Sequence, residues 1–329
     1  VAHFAGDHPC HKDGVEISQM KHQTATRELA KGVVINHSFS SKPPSGRYRD
    51  FYEKMSTYVA IISSPAASID PSVTAKTYPV IEPEEGESVF KYFDTASSRA
   101  GITTVMRKLE LGKVGIVGLG GTGSYVLDLV AKTPVQEIHL FDGDKFLNHN
   151  AFRCPGAPSI EELRNKHSKA VYWAEQYSQM RWNIVAHDCY LDRSNTKLLQ
   201  GMDFVFLCLD SGEAKKGIVQ KLEEYGIPFI DVGMGVDLVD GSLGGILRVT
   251  SSTAKQRTHV HAKNRIPFFE AGENNDYSKN IQIADLNALN AALAVIKWKK
   301  LFGFYRDLEN EHFCAYTIDG NTLTNEDQA

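Results

Sequence analysis

Gly118-Leu119-Gly120-Gly121-Thr122-Gly123 is the segment of this chain best suited to hold a phosphate. Glycines let the backbone approach an anion closely, and a helix start offers unpaired N–H groups and the positive end of its dipole. Val114-Gly115-Ile116-Val117 before the loop reads as a strand, and a helix is predicted after it from about Thr122 to Ala131. Asp142 ends the next strand, Glu137-Ile138-His139-Leu140-Phe141, where a carboxylate can accept a hydrogen bond from a ribose hydroxyl. These features specify nucleotide binding and no more. A glycine-rich loop in this setting fits a dehydrogenase equally well, and its bland reading is a tight turn without a ligand.

The elements around the loop form a repeating series. A helix is predicted over about 166–180 and strands at Ile184-Val185-Ala186, Phe204-Val205-Phe206-Leu207 and Phe229-Ile230-Asp231-Val232, with a helix at about 212–225 between the last two. Continuous apolar strands alternating with helices predict a Rossmann-like, doubly wound, mostly parallel α/β sheet. Further strands are expected at 244–249 and 313–318, and between them a helix at about 281–301 with Ala288, Ala291, Ala292 and Ala294 on one face for close packing. A helix over about 95–110 precedes the core. Residues 1–95 differ: they are rich in His, Ser and Pro, with short β-like runs at Gly32–Ile35 and Tyr58–Ile62. That text suits a small α+β module, joined through an acidic linker at Ile81–Glu87 to a nucleotide-binding domain spanning 96–329.

Composition sets limits on class. With 329 residues, 42% hydrophobic and 23% charged, the chain reads as globular. A net charge of -4 argues against nucleic acid or an anionic membrane as the default partner, and no apolar run is long enough to span a bilayer. Five widely spaced cysteines predict reduced thiols and a cytoplasmic setting. The start, Val1-Ala2-His3, carries no signal pattern and reads as trimmed or processed.

Downstream of the glycine loop come Asp142-Gly143-Asp144, then Asn148, Asn150 and Arg153, then Lys169 in a helix, then Asp210 at a strand end. In this order the chain resembles the ubiquitin-activating and ThiF-like adenylyltransferases over about 200 residues. Their pattern is a Gly-Gly phosphate loop, a ribose Asp, an Asn-x-x-Arg-like segment, a Lys and a late Asp. The Asn–Arg segment here, Asn148-His149-Asn150-Ala151-Phe152-Arg153, is longer than the tightest form, and Asn150 is the favoured nucleotide contact. The resemblance implies binding of ATP through Gly118, Gly120, Gly121, Thr122, Gly123, Asp142, Asp144 and Asn150. It also implies transfer of AMP to the C-terminal carboxylate of a ubiquitin-like or sulfur-carrier protein. Attack of a carboxylate on the α-phosphate joins two anions, so Arg153 and Lys169 are candidates to offset the charge. Asp210 is the candidate ligand of Mg²⁺, a hard cation that favours oxygen donors. Taken singly, these three read as a salt bridge, a solvated helix residue and a strand-end cap.

The resemblance further implies a homodimer in which Arg99, ahead of the core, reaches the partner subunit's nucleotide; an ordinary exposed arginine is the alternative. Two departures stand out. No C-x-x-C pair exists for a zinc knuckle, and the crossover region at about 250–281 holds His259, His261, Tyr277 and Ser278 but no cysteine. Cys154, beside Arg153, is either a packing residue or a nucleophile with a lowered pKa. Absent a crossover thiol, hand-off to a separate, conjugating-enzyme-like protein is expected. Other acceptors (a peptide, a carboxylate on tRNA) and a silent binding module remain open. His8, Cys10, His11, His22 and His37 are read as hydrogen-bonded structural residues, with metal binding as the alternative. His37-Ser38-Phe39-Ser40 and Lys54-Met55-Ser56-Thr57-Tyr58 resemble uncharacterised domains fused to bacterial ThiF-like proteins, which implies a partner-binding module.

Overall fold

The computed structural model describes every residue except 31, 76–87, 93 and 269–280, and for Ser98 the backbone alone. The chain divides into two compact units, Val1–Pro79 and Val80–Ala329. The linker read at 81–87, and Tyr277 and Ser278, lie outside the described residues.

In the first unit, β1 (Ala2–Phe4), β2 (Lys21–Ala30) and β3 (Val33–Phe39) form an antiparallel sheet in the order β1-β3-β2. Helix α1 (Phe51–Ile69) accompanies it, and Ile17, Met20, Phe39 and Tyr58 make the core. The β-like run expected at Tyr58–Ile62 is therefore helical. The reason sits upstream of it: the Asp50 carboxylate accepts the Glu53 N–H at 2.7 Å, and the Glu53 carboxylate accepts the Arg49 N–H at 2.5 Å. The Asp50 cap starts a helix that carries the β-branched residues along with it.

Residues just ahead of the expected boundary at 95/96 already pair with the second unit. Phe90 bridges Arg181, and the Trp182 N–H donates to the Val89 carbonyl at 2.8 Å, so these residues belong to the larger fold. The single helix expected at 95–110 is broken into α2 (Thr95–Arg99) and α3 (Thr103–Met106), with Gly101 at φ +67° between them. There follow β4 (Lys113–Val117), α4 (Gly121–Ala131), β5 (Glu137–Phe141), α5 (Asn148–Ala151), α6 (Ile160–Asn165), α7 (Lys169–Tyr177), β6 (Ile184–His187), β7 (Phe204–Leu207) and α8 (Gly212–Glu224). The chain ends through β8 (Phe229–Val239), β9 (Ser242–Ser252), α9 (His259–Ala262), α10 (Ala284–Leu301), β10 (Phe313–Thr317) and β11 (Thr322–Glu326).

Among the described residues, the eight strands of this unit form one sheet, in the order β11-β10-β9-β8-β7-β4-β5-β6. The run from β6 to β8 is parallel, and β9 to β11 pair antiparallel. This is the doubly wound, Rossmann-like α/β fold. Alternate residues supply two cores. Val114, Ile116, Phe204 and Phe206 face one way, with Val126, Val130, Ala294 and Trp298 of α4 and α10. Val117, Val205 and Leu207 face the other way, with Ile218, Val219 and Leu222 of α8. Strands β8 and β9 extend well beyond the short strands read from sequence. They form a hairpin closed by Asp240-Gly241, both at positive φ, as a two-residue turn of the favoured twist requires. Among the described residues, no helix is long and apolar enough to cross a membrane.

The order reverses at β4: the chain goes from β4 to β5 and β6 on one side, then to β7 and β8 on the other. Neighbouring crossovers diverge there and leave a crevice at the strands' carboxyl ends, the usual ligand position in such sheets.

Candidate functional site

A cavity of about 370 Å³ occupies that crevice. Val117 and Gly118 of the β4 end, Phe141 and Asp142 of the β5 end, and Cys208 to Ser211 after β7 line it. Gly118 turns the chain into the loop at φ +87°, and a Cβ there would lie 2.9 Å from the Cys208 carbonyl. No other residue type fits this close crossing. Gly120, also on the cavity wall, caps α4, and a Cβ on it would meet no protein atom within 4 Å. The loop therefore leaves open space where a phosphate needs it.

Asp142 is buried, and both of its oxygens hold backbone: Oδ2 accepts the Leu119 N–H at 2.7 Å and Oδ1 the Asp144 N–H at 2.8 Å. It braces the glycine loop from below. Burial pushes its pKa up, opposed by Lys169 and these two N–H donors. A carboxylate has further lone pairs, so a ribose contact stays available.

Lys169 is buried and donates to Asp144 Oδ2 at 2.6 Å, with Asp142 Oδ1 at 3.8 Å. Its place is fixed locally. The Lys169 N–H donates to the Asp144 carbonyl, the Phe146 N–H to the His167 carbonyl, and Ser168 caps α7. Tyr190 completes the group by donating its hydroxyl to Asp144 Oδ1 at 2.5 Å. Partial burial of Asp144 works to raise its pKa, but Lys169 and Tyr190 outweigh it and hold the carboxyl below its ordinary value.

Arg153 lines the same cavity, and its Nε is buried with no hydrogen-bond partner. A buried guanidinium N–H without an acceptor is costly, which marks this atom as one that a ligand would satisfy. Asp210, exposed at the mouth, lines both this cavity and a second one of about 360 Å³. Thr122 lines both as well.

Two candidates fall elsewhere. Asn150 does not line the cavity. Its Oδ1 accepts the Leu147 N–H at 2.9 Å, so it caps α5, and its Nδ2 is buried without a partner. Arg99 is exposed on α2 and lines neither cavity. Cys154 is buried, and that burial pushes its thiol up to about 11 despite the neighbouring Arg153, the reverse of an activated thiol. In the first unit, His8, His22 and His37 lie beside the Pro9 carbonyl, the Ser38 hydroxyl and the Thr24 hydroxyl. No group of three His, Cys, Asp or Glu able to hold a metal occurs among the described residues.

The structure adds residues that sequence reading did not single out. Asn287 of α10 accepts from the Thr122 hydroxyl at 2.9 Å and donates to the Arg153 carbonyl at 3.2 Å, joining the glycine loop to the arginine segment. Its amide fills the space that a Cβ on Gly121 would need. Lys215 and Arg248 line the second cavity, and both pair with the fully buried Asp231, at 2.6 Å and 2.8 Å. Arg248 Nε and Asn290 Oδ1 are buried there without partners. A signal existed for each: asparagines at 287 and 290 interrupt an apolar, alanine-rich helix, and Asp231 interrupts an apolar strand.

Comparison with known proteins places this geometry. Residues 1–95 match a family described as a domain of unknown function (DUF6791). Ubiquitin-like modifier-activating enzyme 5 of Gallus gallus is 27% identical over 161 residues, which are 45% of this chain and 40% of that protein. The Branchiostoma floridae protein of the same name is 26% identical over 45% of this chain and 39% of its own length. The chain thus spans about two-fifths of the curated relatives it matches. Among solved structures, the microcin C7 biosynthetic enzyme MccB in complex with N-formylated MccA superposes with a TM-score of 0.55 at 18% identity, covering 71% of this chain and 70% of that one. PaaA does so with a TM-score of 0.52 at 16% identity, over 68% and 75%. Identities this low speak for the fold alone. The ThiF family model matches residues 90–276, more than half of the chain and all of the glycine loop, Arg153, Lys169 and Asp210; the chain belongs to the ThiF family.

Proposed function

We propose that this chain transfers AMP from ATP to a carboxylate, that of the C-terminus of a ubiquitin-like or sulfur-carrier protein. One observation carries the reading: Arg153, with a buried unpartnered Nε, meets Lys169, Asp210 and the glycine loop in one cavity at the sheet's switch point. Hydride transfer has no use for two cations beside a phosphate loop. In the proposed step a carboxylate oxygen attacks the α-phosphorus of ATP, forming the acyl–phosphate bond as pyrophosphate leaves. Glycine-loop N–H groups and the α4 terminus hold phosphate. Arg153 and Lys169 take up the charge that develops during displacement, Lys169 turning from Asp144 toward the phosphates. Asn150, off the cavity, acts through the segment it caps.

Asp210 suits Mg²⁺. The ion commonly takes one or two carboxylates and completes its shell with water and phosphate oxygens, so an exposed carboxylate on the cavity wall fits it. Bound there, Mg²⁺ would neutralise phosphate charge. The second cavity, joined to the first along Thr122 and Asp210, would receive the terminal segment of the acceptor. Arg248 Nε and Asn290 Oδ1 await partners there, and the name of one relative, ubiquitin-like modifier-activating enzyme 5, supports this class of acceptor. In this reading 96–329 carries the chemistry, 1–95 binds a partner, and Arg99 reaches the cavity of a second copy. With Cys154 buried and its thiol raised, the adenylate passes to a thiol or amine on another protein.

Exchange of labelled pyrophosphate into ATP, assayed against a panel of ubiquitin-like proteins and peptides, tests the reading. Exchange should depend on one acceptor and fall at least about a hundredfold in Asp210→Ala, the scale of a lost transition-state partner. Exchange within a few-fold of wild type in that variant would place the metal elsewhere.

A further inference from the structure

A third cavity, of about 410 Å³, lies in the first unit, in the family of unknown function. Four cations line it: Lys42, Arg47, Arg49 and Lys54. Asp50 is the one acidic residue in its wall, and it is committed to the Glu53 N–H and the Arg49 guanidinium. Counting side chains, four positive charges face one already engaged negative charge. The end of α1 is closed by its own Asp50–Glu53 cap, so the surplus belongs to the side chains and not to the helix terminus.

A second feature adjoins it. Phe51, on the cavity wall, is 80% exposed, Tyr52 is 79%, Met55 52% and Val59 41%. Positions 51, 55 and 59 recur at helical spacing, so α1 presents an apolar stripe that starts at the cationic cavity. Large exposed aromatics beside a charged concavity are the composition of recognition sites, where the apolar residues anchor and the charges select.

We propose that this face of the first unit docks an acidic segment of another protein, its carboxylates in the cavity and an apolar side chain on Phe51 and Met55. Charge complementarity argues for the occupant, and the concave wall and apolar stripe favour a peptide over a polyanion. Nucleic acid would need an extended basic track, and the chain as a whole has a net charge of -4. The site is independent of the adenylylation reading, because the residues of its wall belong to the first unit.

Fluorescence anisotropy of the full chain with a labelled peptide of four glutamates around one leucine tests it. Parallel titrations use mixed phosphatidylcholine–phosphatidylserine vesicles and a single-stranded DNA oligonucleotide. Peptide binding should weaken with added salt, and about tenfold or more in the double variant Lys42→Glu, Arg47→Glu, whose exposed side chains leave the fold intact by circular dichroism. Phe51→Ser should weaken it at constant salt dependence. Absence of peptide binding, unchanged affinity in the double variant, or preference for the vesicles or the DNA would overturn the proposal.

Discussion

At the scale of the residue, the site depends on how charges are shared. Lys169 serves two carboxylates in opposite states: Asp142, pushed up by burial, and Asp144, held down by Lys169 and Tyr190. The signs follow from linkage. A depressed carboxyl stabilises the fold above its unfolded pKa, and that stability is lost as pH falls through the folded value. A raised one costs stability at neutral pH and is relieved as pH falls. Lys169→Met removes the support of Asp144 and the largest influence lowering Asp142, so it should lower thermal stability at pH 7. The difference from wild type should narrow as pH falls through the depressed Asp144 value and both carboxylates become protonated. A deficit that stays the same across that fall would mean that packing, not charge, is what Lys169 supplies. Adenylyl transfer should fall about a hundredfold in the same variant.

At the scale of the element, α10 controls the glycine loop. Asn287 occupies the space beside Gly121, where a Cβ would come within 2.0 Å of its amide nitrogen. Gly121→Ala should therefore cost about 1–3 kcal/mol, the usual penalty for overpacking. Asn287→Ala should cost a similar amount by stranding Thr122 and the Arg153 carbonyl. Combined, the two should cost less than their sum, because the small side chain at 287 admits the new methyl. Strict additivity by urea denaturation would contradict the packing described. The same contact shows what sequence conveys and what it does not. Strand, glycine loop and helix are legible between 113 and 131 because local periodicity and local turn chemistry specify them. Gly118, Asp142 and Asp210 follow the ends of β4, β5 and β7, and Arg153 and Lys169 lie on the crossover after β5, so their order along the chain is legible as a set. Asn287 arrives from a helix more distant in sequence, so nothing near the loop announces it. Tyr58–Ile62 misleads for the opposite reason: β-branched composition points to a strand, but the Asp50–Glu53 cap and the buried Tyr58 decide for helix. For Asn150, spacing cannot tell a nucleotide contact from a helix cap, and its Oδ1 caps α5.

At the scale of the whole molecule, the proposed site draws on two copies of the chain. Arg99, exposed on α2, lines neither cavity of its own chain, and is proposed to reach the cavity of a second copy. Mixing Arg99→Ala with Asp210→Ala, each inactive alone, should restore part of the exchange, since a mixed dimer holds one site with both residues intact. No recovery, with dimers present by sedimentation, would remove Arg99 from the site. The central claim is that the crevice at the carboxyl ends of β4, β5 and β7 binds ATP through Arg153. Calorimetric titration of wild type and Arg153→Ala with ATP and Mg²⁺, and separately with NAD, tests it without knowledge of the acceptor. The account predicts ATP binding to wild type, at least about tenfold weaker binding to the variant, as expected for one charge-assisted contact, and no binding of NAD. Binding of NAD, or ATP affinity untouched by Arg153→Ala, would contradict it.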